Sequence, residues 1–424
     1  MKRWLEQARA LDAEDPLRAY RDEFWIPRHT DGETQLYFCG NSLGLQPRRL
    51  RAAMARELEA WKTLGVEGHF KGEAPWMPYH ELLREPLARL VGAQPCEVVA
   101  MNSLTVNLHL MMVSFFRPAG RRQRILIEAQ PFPSDRYAVE SQLRFHGLDP
   151  AQCLVELGSG TDDRLIEEAS IEAYLEAHGE QLALVLWPGV HYASGQSFDL
   201  HRIAEAARSA GVAVGFDLAH AAGNVPLALH DSGADFAAWC SYKYLNAGAG
   251  AVAGCFVHER HHGNNQLPRF HGWWGADPES RFRMSPEFRP AGGADAWQLS
   301  NPPILAMAPL RCSLQMFEEA GLPALRAKSL RLTGFLADLV HGECAALLEI
   351  ITPAEPQRRG CQLSLRVRAG RAQGRRLFDF LHVHGAIADW REPDVIRVAP
   401  VPLYNSFEDC ARLGMLFSEF AGTQ

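Results

Sequence analysis

The sequence predicts an α/β fold: a large domain with a mostly parallel sheet flanked by helices, plus a smaller C-terminal α/β domain. Three observations lead there. Short apolar runs alternate with helical patterns through the middle of the chain, and strands joined through helices make parallel sheets covered on both faces. A double proline, Pro302-Pro303, punctuates the chain, and a second strand–helix pattern follows it. The length, 424 residues, allows two cores.

The elements follow in order. Pro47 opens a helical pattern with Leu50, Met54, Leu58 and Trp61 on one face, the spacing of a half-buried helix. Residues 103–116 form another helical run. Strands are expected at 124–129 (RILIEA), 153–157, 182–187 and 212–216, with helices at 135–145, 166–178 and 200–210 between them. Residues 235–240 and 251–258 read as two more strands. A long helical stretch spans 304–341. Strand 361–367, helix 373–382, strand 395–398 and a final helix complete the smaller unit. The expected division is 1–50, 51–304 and 305–424.

Composition narrows the function. The hydrophobic fraction of 47% and charged fraction of 22% are those of an ordinary soluble globular protein. A net charge of −7 without a long basic run argues against nucleic acid and anionic membrane as partners. Nine scattered cysteines without a C-x-x-C pair argue for a reducing compartment and against a disulfide framework or a zinc site. No apolar run reaches the ~18 residues of a membrane span, and the charged start MKRWLEQARA has no signal-like apolar region. A cytoplasmic enzyme is expected.

The chemistry concentrates in residues 216–246. Asp217 ends an apolar run, where an open α/β sheet binds ligands. Lys243 ends a second apolar run and lies between Tyr242 and Tyr244, ahead of a glycine-rich loop. Pyridoxal 5'-phosphate (PLP) needs this pair: an amine to hold its aldehyde and a carboxylate to keep its pyridine nitrogen protonated. Apolar surroundings favour the neutral amine such a lysine requires. The segment GAGAVAG, residues 248–254, mimics a dinucleotide fingerprint, but its spacing is wrong and it leads into a strand.

The motifs DLAHAAGN, CSYKYLNAGAG, YFCGNSLGLQP, FPSD, SNPPIL and RVAPVPLYNSF, in this order of quotation and spread over residues 37–407, resemble kynureninase. The resemblance implies PLP fold type I, the aspartate-aminotransferase type. It implies hydrolysis of L-kynurenine or 3-hydroxy-L-kynurenine to an anthranilate and L-alanine, a step of tryptophan catabolism and pyridine-nucleotide biosynthesis. It also implies a homodimer with a shared active site, and an N-terminal segment, residues 1–50, packed with the small domain.

The same resemblance assigns residues. Lys243, Tyr242 and Asp217 are the catalytic candidates. His220 falls beside the cofactor ring, although a capping or core histidine reads equally well from sequence. Phe132, Pro133, Ser134 and Asp135 form a loop against the cofactor, with Ser134 or Asp135 also a candidate helix cap. Leu104 and Thr105 open a helix whose free N–H groups suit a phosphate, while Thr105 alone reads as a cap. Trp273 and Asn301 belong to the neighbouring subunit's half of the pocket. His69 and Asn301 line the substrate ring, and both can hydrogen-bond a phenolic hydroxyl, so 3-hydroxykynurenine is expected to be at least as good a substrate. Arg397 meets the substrate α-carboxylate, which a guanidinium binds bidentately. One position departs from the pattern: many kynureninases carry a cofactor-touching serine where this chain has Pro188.

Two rivals remain at this point. A cysteine desulfurase-like PLP lyase would share Asp217 and Lys243 and add a nucleophilic cysteine, with Cys361 and Cys410 as candidates by position. A non-catalytic domain of the same fold would not need Lys243, Asp217, His220 and Arg397 together.

Overall fold

The computed structural model describes residues 1–158 and 165–422. Its main sheet has seven strands: β1 (Val98–Ala100), β2 (Arg124–Glu128), β3 (Leu154–Leu157), β4 (Leu182–Pro188), β5 (Ala213–Asp217), β6 (Phe236–Trp239) and β7 (Gly254–Val257). Their order is β1-β7-β6-β5-β4-β2-β3. Strands β3, β2, β4, β5 and β6 run parallel, while β7 is antiparallel to both β6 and β1. The expected strands are all present, with ends shifted by up to three residues.

Side-chain alternation explains the covering. Leu126, Val185, Trp187, Val214 and Phe216 point into one hydrophobic core, and Ile125, Ile127, Leu184, Leu186 and Ala238 into another. Every residue of β4 is buried. A strand with no solvent face needs helices on both sides of it.

A second sheet has four antiparallel strands, in the order Leu348–Ile350, Leu363–Val367, Val395–Val398, Asp389–Arg391. Its core gathers Leu377 and Leu381 of helix Arg371–Val383, Phe407 and Phe417 of helix Phe407–Gly422, and Trp4 and Ala8 of the N-terminal helix Lys2–Ala13. Leu36–Tyr37 pairs parallel with Ala386–Ile387. The N-terminal segment thus packs on the C-terminal elements.

Two helical expectations need correction. The stretch 304–341 is two helices, Ile304–Ala320 and Leu322–Glu343, separated by Gly321 at φ 77°; only glycine holds that conformation without strain. The first of them lies in the core of the large sheet, while Leu332, Leu336 and Leu339 of the second lie in the smaller core. The helix expected from Pro47 begins at Leu50, because Gln46–Pro47 pairs with Phe24–Trp25. Its buried residues are Ala53 and Glu57, and Trp61 on the expected inner face is 60% exposed.

Candidate active site

The carboxyl ends of β2, β4 and β5 meet the N-termini of helices Leu104–Phe115 and Pro133–Phe145 around a cavity of about 160 Å³. Chain order reverses beside β2, which lies between β4 and β3, and ligands of open α/β sheets bind at such a switch. Leu104, Thr105, Phe132, Ser134, Asp135, Asp217, His220, Tyr242 and Lys243 all line this cavity. Pro133 stands in the first turn of its helix, and the cap is Phe132 rather than Ser134 or Asp135. Ser103, not Thr105, caps the other helix. Both hydroxyls are thereby free of capping, and Thr105 Oγ1 lies 2.9 Å from Ser134 Oγ. Two helix N-termini and a hydroxyl pair make an anion cradle.

Lys243 is 9% exposed. Its Nζ lies 3.0 Å from His220 Nε2, with the Phe132 and Tyr242 ring centroids 5.8 and 6.0 Å away. Burial, then the Lys243 charge, holds His220 well below the usual histidine range. The neutral ring accepts a hydrogen bond from the lysine. The loop carrying Lys243 is buttressed by Gly44, whose N–H donates to the Tyr242 carbonyl at 2.8 Å. A Cβ at Gly44 would meet the Lys243 carbonyl oxygen at 2.4 Å.

Three buried carboxyls, Glu128, Asp135 and Asp217, line the same cavity. Asp217 Oδ1 accepts the Ala219 N–H at 2.7 Å. Burial raises Asp135 well above the carboxylate range, and the charge of Asp217 and a hydrogen bond to it add to the rise. Asp135 and Asp217 thus form a close carboxyl pair. Glu128 is pushed up to about 8 by burial, with Asp217 contributing. Glu128 was absent from the sequence-derived candidates, although it ends the run RILIE as Asp217 ends VAVGFD. Tyr192, at the wall of the same cavity, was missed as well.

These groups fit PLP. Asp135 Oδ1 and His220 Nδ1 are buried without a partner among the described residues. Lys243, the Asp217–Asp135 pair and the Thr105–Ser134 hydroxyls are the group types that an aldehyde, a pyridine nitrogen and a phosphate call for. Phe132 offers an aromatic face. Pro188 lines the cavity in register with Asp217, so it supplies neither a hydroxyl nor an N–H there.

Besides Pro133, four candidates are absent from the cavity lining in the same chain. His69 Nδ1 is 3.0 Å from the Val66 carbonyl, and its ring meets Trp76 edge-on at 5.4 Å. Trp273 packs against Phe282 in a surface pocket of residues 271–289. Asn301 is exposed just before helix Ile304–Ala320. Arg397 is 1% exposed and reaches the cavity wall by donating to the Tyr192 carbonyl at 2.7 Å.

Cys361 and Cys410 are both buried and line no part of the cavity. Burial pushes the Cys361 thiol up to about 12, the reverse of what a thiolate nucleophile needs. A separate group with metal-ligating donors, Glu97, His230 and His258, lies away from the cavity. Its carboxylate already accepts the Gln94 and Glu259 backbone N–H groups at 2.8 and 2.9 Å, which ties the segment before β1 to the segment after β7.

Residues 36–272 match the model of the aminotransferase class-V family, and residues 325–416 that of the kynureninase C-terminal domain. The chain is 62% identical over 402 residues to kynureninase of Xanthomonas oryzae pv. oryzae strain PXO99A, covering 95% of each protein. It is 61% identical over 406 residues to kynureninase of Xanthomonas campestris pv. campestris strain B100, covering 96% of this chain and 95% of that one. Among solved structures, the apo cysteine desulfurase of Thermococcus onnurineus NA1 superposes with TM-score 0.76 at 16% identity, covering 92% and 95% of the two chains. A C-DES mutant with glycine covalently linked to its PLP cofactor gives TM-score 0.72 at 18% identity, covering 90% and 96%. At such identities these structures speak for the fold alone.

Proposed function

We infer the function of this chain from its family: the chain belongs to the kynureninases. It is a PLP-dependent hydrolase that cleaves the Cβ–Cγ bond of L-kynurenine or 3-hydroxy-L-kynurenine, giving anthranilate or 3-hydroxyanthranilate and L-alanine. The observation that carries the site assignment is the pairing, across one cavity, of buried Lys243 with the Asp217–Asp135 carboxyl pair.

When bound, PLP supplies an aldehyde for the lysine and the substrate amine and an electron-withdrawing ring that stabilises negative charge at Cα. Asp217 and Asp135 would face its ring nitrogen, Thr105 and Ser134 its phosphate, and Phe132 its ring face. With PLP in place, Lys243 would act as the general base toward the substrate Cα proton. Neutral His220 accepts a hydrogen bond from its Nζ and so keeps the amine aimed into the cavity. Burial and the neighbouring Cys240 and Asp217 raise the Tyr242 phenol, which keeps it a proton donor. Tyr242 assists protonation while water adds to the substrate γ-carbonyl and the Cβ–Cγ bond breaks. Arg397 holds the α-carboxylate.

The active unit in this reading is a homodimer in the cytoplasm. Trp273, Asn301 and His69, which do not line the cavity of their own chain, enter the site of the partner in this reading, where His69 and Asn301 meet the ring of the substrate. No described helix is long and apolar enough to cross a membrane. The test is steady-state release of anthranilate from kynurenine, of 3-hydroxyanthranilate from its 3-hydroxy form, and of alanine from cysteine. Alanine from cysteine at a rate exceeding both would replace this reading with the desulfurase one.

A further inference from the structure

Arg397 does not face the substrate side alone. Asp389, on the neighbouring strand, lies against it in antiparallel register. Arg397 Nη2 is 2.7 Å from Asp389 Oδ2, and Nε donates to Oδ1 at 3.3 Å. Arg391 grips the same carboxylate from elsewhere on that strand, with Nε 3.0 Å from Oδ1 and Nη2 donating to Oδ2 at 3.1 Å. The Arg391 and Arg397 guanidiniums lie 5.8 and 5.9 Å from the centroid of Tyr192, and Tyr192 meets Phe132 edge-on at 5.3 Å in the cavity wall. Both arginines depress His220, so their positive charge reaches the cavity.

The donors of Arg397 can be counted. A guanidinium has five N–H groups. The Nε/Nη2 edge is taken by Asp389 and one Nη1 hydrogen by the Tyr192 carbonyl. Beyond these contacts, one N–H on Nη1 and one on Nη2 have no further acceptor among the described residues. Two guanidinium N–H groups of this kind can bind a carboxylate. The charge count agrees: two guanidiniums and one carboxylate leave one positive charge for one substrate carboxylate.

We propose that Asp389 is a positioning residue for substrate binding: it fixes Arg397 by one edge so that its remaining N–H groups are presented to the α-carboxylate, and Arg391 supplies the charge that Asp389 would otherwise cancel. The proposal rests on the reading of Arg397 as the carboxylate-binding residue. A fixed fork binds more tightly because less side-chain freedom is lost on binding.

The experiment is a comparison of KM and kcat for kynurenine in Asp389→Asn, Asp389→Glu, Arg391→Gln and Arg397→Lys, with the cofactor absorption band as a control. Asp389→Asn is expected to raise KM about tenfold or more, the size of a lost charge-assisted hydrogen bond, with kcat and the absorption band little changed. Asp389→Glu recovers part of the loss, and Arg391→Gln raises KM as well. Removing Asp389's negative charge without orienting consequences would instead lower KM, so a lower or unchanged KM in Asp389→Asn overturns the proposal. If Asp389→Asn does not fold, Arg391→Gln decides, and an unchanged KM there overturns it. Arg397→Lys separates the premise from the proposal: an unchanged KM in that variant removes the carboxylate role itself, whereas a raised one leaves it standing whatever Asp389→Asn does.

Discussion

Glu128, Asp135 and Asp217 line the same cavity, and three buried carboxyls so close cannot all ionise. In the cofactor-free protein Glu128 keeps its proton to about pH 8, while its unfolded counterpart loses it near 4.5. The unfolded state then binds fewer protons between these values, so stability falls as pH rises through that window, by about 1.4 kcal/mol per unit for one such group. Glu128→Gln is expected to flatten this decline, read as the melting temperature of the apo-protein from pH 5 to 8; an unaltered slope would contradict the assignment. At Lys243 the expected outcome is sharper. Lys243→Ala abolishes turnover, and borohydride reduction of the wild type attaches cofactor to one peptide, the one containing Lys243. Asp217→Ala is expected to lose several orders of magnitude in kcat, with Asp217→Glu partly active. Asp217 and Lys243 were legible because each ends an apolar run beside distinctive neighbours. Glu128 ends one too, but the FPSD motif just after it drew the assignment. The pairing of Arg397 with Asp389 was not legible, because it depends on antiparallel register between strands whose ends the sequence left undefined.

At the scale of elements, the proposed phosphate cradle is a meeting of two helix starts. The sequence placed both helices but misjudged their caps: Ser103 and Phe132 cap them, leaving Thr105 and Ser134 to face each other. Thr105→Val removes one hydrogen bond to an anion, about 1.5–3 kcal/mol, and should weaken PLP binding at least about tenfold without altering the fold. Equilibrium dialysis of the cofactor measures it; unchanged affinity would place the phosphate elsewhere. Gly44 poses the complementary case. Its backbone touches the lysine loop so closely that a Cβ would overlap the Lys243 and Asn246 backbone, so Gly44→Ala is expected to displace the loop and lower kcat more than it lowers the melting temperature. The strands read well because burial on both faces leaves continuous apolar runs, as in β4. The break at Gly321 carried its signal, a glycine followed by Leu322-Pro323, inside an otherwise helical pattern.

The helix Leu50–Leu64 leads to the scale of the whole molecule. Its apolar stripe is divided: Met54 packs against the large core while Leu58 and Trp61 lie exposed, because sequence periodicity says which residues share a face and not what covers it. The residue buried at its centre is Glu57, which accepts hydrogen bonds from Trp76 and Tyr79 at 3.0 and 2.9 Å. Leu58 and Trp61 face outward in the single chain, as does Trp25, which lines a groove with Gly248, Ala249 and Leu305. A monomer rarely leaves so much aromatic surface open. In the proposed dimer Trp273 and Asn301 complete the partner's site, and this arrangement can be tested by complementation. Chains carrying Lys243→Ala are co-expressed with chains carrying Trp273→Ala and Asn301→Ala, on different affinity tags, and the heterodimer is isolated. Each homodimer is inactive at both sites. In the heterodimer one site combines both lesions and the other combines the intact Lys243 of one chain with the intact Trp273 and Asn301 of the other. By the two-fold symmetry of such an assembly the expected rate is about half that of the wild-type dimer. If Trp273 and Asn301 served the cavity of their own chain, every site in the heterodimer would carry a lesion, and no activity would return.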